Sequence, residues 1–109
     1  MTSGHFLITV TNPGYRTVTL TGGAGIVLPD GKEHTILNLD SNAHFPHQLA
    51  EGESCLLWTD IAELAQQLKQ QMGLGGEIAL RAFVDSALGT RYRSKKWKFD
   101  VEAWARRIS

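Results

Sequence analysis

EIALRAFVDSALGTRYRSKKWKFD, from Glu77 to Asp100, reads as two long strands about a short turn. Ile78, Leu80, Ala82 and Val84 fall on one side of a two-residue repeat, with Arg81 and Asp85 on the other. Ala87-Leu88-Gly89-Thr90 supplies the turn, where Gly89 accepts a positive φ. Tyr92 opens the return run, which ends near Phe99. Arg91, Arg93 and Lys95 share one face of that run, and Trp97 and Phe99 continue the same parity. A twist or bulge near Lys95-Lys96 is therefore needed to turn the two rings inward. A strand pair of this length must bury its apolar side, and the apolar material left is a further set of strands and one helix.

Working outward, Ile61, Leu64, Ala65, Leu68 and Met72 recur at helical spacing. Asp60 with Glu63 forms a capping box at the start of that helix, and Gly73 is its expected stop. Towards the N-terminus, His5 to Thr11 (HFLITVT) alternates as a strand, and Asn12-Pro13-Gly14 turns the chain into a return strand over Tyr15 to Thr21. Gly22, Gly23 and Gly25 break that pattern, which predicts a bend or bulge where the chain crosses between sheets. Ile26 to Leu28 is a short strand, Pro29-Asp30-Gly31-Lys32 a hairpin turn, and Glu33 to Leu39 its partner. The polar run from Asp40 to Gly52 is expected as a surface connection, with a strand resuming at Ser54 to Trp58. Beyond Asp100, Val101, Trp104, Ala105 and Ile108 line one face of a short amphipathic helix, with Arg106 and Arg107 near its end. The expected organisation is a leader over residues 1–4, a sandwich over 5–100 and a C-terminal helix over 101–109.

Length and composition narrow the function classes. At 109 residues the chain is one domain with a real core. Eleven basic residues balance eleven acidic ones, so no general field draws it to nucleic acid or a membrane surface. The apolar runs are too short to span a bilayer, and HFLITV follows MTSG without a signal-peptide pattern. A single cysteine, Cys55, excludes an internal disulfide and makes the reducing cytoplasm the expected compartment.

About seven short strands at regular spacing, with a helix inserted late, fit an all-β, immunoglobulin-like β-sandwich with a short C-terminal helix. The segments TVTNPGYRTVTLTGGAGIVLPDGK, FPHQLAEGES, ELAQQL and RAFVDSALGTRYRS resemble small uncharacterised bacterial proteins of immunoglobulin-like type. The resemblance runs from about Phe6 to Asp100 and is carried by turns and packing positions. It implies the fold and brings no activity, cofactor or site residue.

Three groups of residues are candidates for contact with something else. His44 and His47 lie three apart in the Asp40–Gly52 segment and, with Trp58, make a loop site for a small molecule or carbohydrate. Zinc needs three or four convergent ligands on a rigid frame, so no metal and no cofactor is expected. Arg91, Arg93, Lys95, Lys96 and Lys98, interleaved with Tyr92 and Trp97, have the composition of a single-strand nucleic-acid surface. A charged strand edge that resists aggregation has the same composition, and nucleic acid is not the expected partner. Val101, Trp104 and Ile108 either cover the end of their own sandwich or dock on another protein or a second copy. No nucleophile–base pair or phosphate-cradling loop is present, and Gly22-Gly23-Ala24-Gly25 does not lead into a helix. The expected role is a non-enzymatic binding or assembly module that acts through an edge strand or the C-terminal helix, with an unknown protein or a homodimer as partner.

Overall fold

The computed structural model describes residues 4–36 and 39–105. The fold is mostly β. Its strands are β1 (His5–Thr11), β2 (Val18–Val27), β3 (Glu33–Thr35), β4 (Asp40–Ser41), β5 (His47–Leu49) and β6 (Ser54–Asp60), then β7 (Glu77–Ser86), β8 (Arg91–Arg93) and β9 (Trp97–Asp100). Helix α1 (Ile61–Met72) stands between β6 and β7, and α2 (Val101–Ala105) follows β9. Pairing is antiparallel throughout. A three-stranded sheet has the order β1-β6-β4, and a six-stranded sheet has the order β3-β2-β7-β8, with β5 also on β2 and β9 also on β7.

Alternation fills the space between the sheets. Phe6 and Ile8 of β1 and Cys55 and Leu57 of β6 share the inward face of the smaller sheet. Leu20, Ala24 and Ile26 of β2, Leu49 of β5, and Leu80, Ala82 and Val84 of β7 contribute the larger sheet's inward face. All of these belong to one hydrophobic cluster, which Leu64, Ala65 and Leu68 of α1 and Val101 and Ala105 of α2 complete.

The Glu77–Asp100 hairpin forms with the expected interruption. Phe83 stands opposite Arg93, yet Leu80 stands opposite Trp97, so the return run carries one residue more than β7 across this interval. Ser94 fastens the bulge: its amide donates to the Ala82 carbonyl at 2.9 Å and its Oγ accepts from the Ala82 amide at 2.8 Å. The shift puts Phe99 opposite Ile78 on the core side and buries it.

Three expectations change. The His5–Thr11 strand pairs with β6, not with the segment after Asn12-Pro13-Gly14, so that turn carries the chain from one sheet to the other. The glycine stretch does bulge, with Thr21, Gly22 and Gly23 set against the single Asp85, but β2 runs through it in the same sheet. Gly22 takes φ 92° there, a conformation in which a side chain would be strained. The run from Asp40 to Gly52 holds β4 and β5, so the described residues contain nine strands rather than about seven. Strands of two and three residues are too short to show a repeat.

Local signals placed α1. The Asp60 carboxylate accepts from the Ala62 and Glu63 amides, and Gly73 ends the helix in the left-handed region. The Asp100 side chain likewise accepts from the Ala103 amide. Helix α2 lies on α1: Gln66 Nε2 donates to the Ala105 carbonyl at 3.1 Å, and Lys69 pairs with Glu102 at 3.0 Å. Of the expected leader, Gly4 is described, and its carbonyl accepts from the Ile61 amide.

Candidate functional site

Strand edges are where a sheet of this kind meets other molecules, because an edge presents a row of unsatisfied amides and carbonyls. Strand β1 is an edge of the smaller sheet and is seven residues long. The other edges are built from β3, β4, β5, β8 and β9, each of four residues or fewer. A Ser94–Lys96 bulge and several cations further blunt the edge made by β8 and β9. Strand β1 has none of these protections: from Phe6 to Thr11 it contains no charge, no proline and no glycine.

The direction of its free groups follows from its bonded ones. The Ile61 amide donates to the Gly4 carbonyl, and the Asn12 amide donates to the Glu53 carbonyl, both in register with the β1–β6 ladder. In an antiparallel pair, inward-bonded and outward-facing residues alternate. Phe6, Ile8 and Val10 therefore bond to β6, and the backbone groups of Leu7, Thr9 and Thr11 face the open side.

Beside that open side lies a groove of about 350 Å³. Its apolar floor includes Ile8 and Val10 of β1, Leu49 of β5, and Ala82 and Val84 of β7. Tyr92, Arg93 and Ser94 form the rim opposite β1. Towards the N-terminal end of β1 the rings of Phe6 and Trp97 meet, with centroids 5.3 Å apart. The other end is closed by Asn12 and Pro13. Asn12 makes that end rigid: its Nδ2 donates to the carbonyls of Arg16 at 2.7 Å and Leu49 at 2.8 Å, and its Oδ1 accepts from the Gly14 amide. The groove is the gap left where the two sheets' edges approach without pairing.

The basic run divides into structural and free cations. Arg91 lies 3.9 Å above the Phe83 ring centroid, pairs with Asp85 at 2.7 Å and pairs with Glu33. Phe83 faces away from the core, yet it is buried because it stands opposite the bare backbone of Gly25 and beneath that guanidinium. The Arg91 hydrogen bond, then its charge and that of Arg93, hold the Glu33 carboxyl below the ordinary range against opposing desolvation, and Arg91 is held firmly charged. Arg93 reaches Glu33 at 3.8 Å, and Lys98 reaches Glu77 at 3.8 Å. Lys95 and Lys96 are exposed and have no ion pair among the described residues. The patch is thus a neutralised cluster on the outer face of β8, with free lysines at the bulge.

The loop constellation does not assemble. Trp58 stands opposite Leu7 and Asp40 on the outer face of the smaller sheet, whereas His47 stands opposite Leu20 on the inward parity of the larger one. His44 is exposed in the bend before β5. Among the described residues no three His, Cys, Asp or Glu side chains gather as metal ligands. Cys55 is buried on the core face of β6, with Ser41 Oγ 3.6 Å from its sulfur. Val101 is fully buried within its own chain, and Trp104 packs against Gly4 and Ile61. Val101 therefore has no surface to offer a partner, while Ile108, Arg106 and Arg107 lie outside the described residues.

Sequence reasoning missed the groove and the free edge. The uncharged run from Phe6 to Thr11 was the available signal, but it reads equally well as a hairpin arm paired on both sides. No family model, curated protein or solved structure matches the chain. No helix among the described residues is long and apolar enough to cross a membrane.

Proposed function

We propose that the chain is a non-enzymatic binding or assembly module of immunoglobulin-like sandwich type, working in the cytoplasm, and that its contact is the edge of β1. A partner segment adds there as an extended strand and lays alternate side chains into the groove beneath Tyr92. One observation carries this reading: β1 is the long edge without protection, in a molecule whose other edges are short, bulged or charged. The two antiparallel sheets around a shared core support the sandwich assignment. The C-terminal helix is the weaker candidate for the contact, because Val101 and Ala105 are turned onto the chain's own core.

The test is a titration with a synthetic peptide of alternating valine and threonine, followed by amide chemical shifts. Shifts are expected at Leu7, Thr9, Thr11 and Tyr92, and Thr9→Pro, which removes an outward amide, should abolish them while β6 pairing persists. Shifts centred on Trp104, or none at all, would sink the proposal.

A further inference from the structure

Resting on that reading, we infer that the segment received by β1 is an acidic one, with its carboxylates clustered at the C-terminal end of the added strand. The orientation comes from the groove itself. Phe6 meets Trp97, so Lys95 and Lys96, between Ser94 and Trp97, lie towards the N-terminal end of β1. A strand added antiparallel to β1, the stronger of the two pairings, runs its C-terminal end towards Phe6. That end arrives beside Lys95 and Lys96.

The two lysines beside it are uncompensated. Arg93, opposite Phe83 on the outer face, is already paired with Glu33 at 3.8 Å. Lys95 and Lys96 have no ion pair among the described residues, and β1 itself bears no acid from His5 to Thr11. A second copy of this chain is therefore the wrong occupant. Its own β1 carries no acid to set against Lys95 and Lys96, and its own lysines would lie at the far end of an antiparallel seam. Apolar alternation suits the floor of Ile8, Val10 and Val84, and carboxylates at the C-terminal end suit the rim.

The experiment compares three C-terminally amidated, fluorescein-labelled peptides, each an alternating Val-Thr hexamer. One carries three glutamates after the hexamer, the second three glutamates before it, and the third three serines after it. Fluorescence anisotropy at low and at physiological salt should rank the first tightest. Its lead over the serine peptide should be about fivefold, as two exposed ion pairs supply, and should shrink as salt screens them. Lys95→Glu with Lys96→Glu should erase that lead without changing the melting temperature, because neither lysine holds the fold together. If the glutamate and serine peptides bind equally, the acidic assignment is overturned and strand addition stands. If neither binds, strand addition falls as well. Glutamate binding that survives Thr9→Pro, or a dimer at low salt in sedimentation, would also overturn the inference.

Discussion

Asn12, Gly25 and Glu33 show how single residues hold the two sheets and their edges in place. Asn12 is buried and serves the Arg16 carbonyl and the Gly14 amide of the chain that crosses between sheets, together with the Leu49 carbonyl of β5. Asn12→Ala should cost about 1–3 kcal/mol in urea unfolding, because buried backbone groups lose their partner. A methyl group at Gly25 would collide with the His34 carbonyl oxygen and stand 2.8 Å from the Phe83 ring. Gly25→Ala should therefore cost about 1–3 kcal/mol, the range for overpacking against backbone that has nowhere to go. Glu33 gives a pH signature. Its folded carboxyl is held below the ordinary 4.5, chiefly by the hydrogen bond from Arg91, so its contribution is complete above that value and is lost as pH falls through the folded pKa. Acid titration of stability should fall more gently below pH 4.5 for Glu33→Gln than for the unmodified protein, and identical slopes would contradict the assignment. The turn at Asn12 was legible from its chemistry. The burial of Phe83 was not, because it depends on Gly25 and Arg91 from other strands.

Among the elements, those fixed by neighbours in sequence were readable, and those fixed by distant partners were not. Helix α1 follows from its spacing, the Asp60 cap and the Gly73 stop, all within its own residues. Leu68, fully buried, should cost about 2–5 kcal/mol when replaced by alanine. The bulge at Ser94–Lys96 was also legible, since Trp97 and Phe99 stand on the parity of the charged residues and had to leave it. Deleting Lys95 would remove the extra residue and leave a regular ladder in which Trp97 still meets Leu80 and Phe99 still meets Ile78, so Phe99 should stay buried. Lys95→Ala should stay within about 0.5 kcal/mol of the unmodified protein in urea unfolding. The pairing of β1 was the failure. HFLITVT and the segment after Asn12-Pro13-Gly14 have the pattern of a hairpin, and only the register with Cys55, Leu57 and Thr59 shows β1 in the other sheet.

For the whole molecule, two antiparallel sheets share one core, α1 and α2 complete it, and among the described residues one long edge is left open beside an apolar groove. The strand-rich class was legible because alternation is a local property. The groove was not, because it exists only where β1 and β8 approach from different sheets. The central claim, that β1 offers the backbone of alternate residues to a partner, is tested most directly by residue-resolved amide hydrogen exchange. Exchange should be fast at Leu7, Thr9 and Thr11 and slow at Phe6, Ile8 and Val10, with the fast set becoming protected when the glutamate-ended peptide is added. Uniform protection along β1 in the free protein, or an alternation that the peptide leaves unchanged, would contradict it.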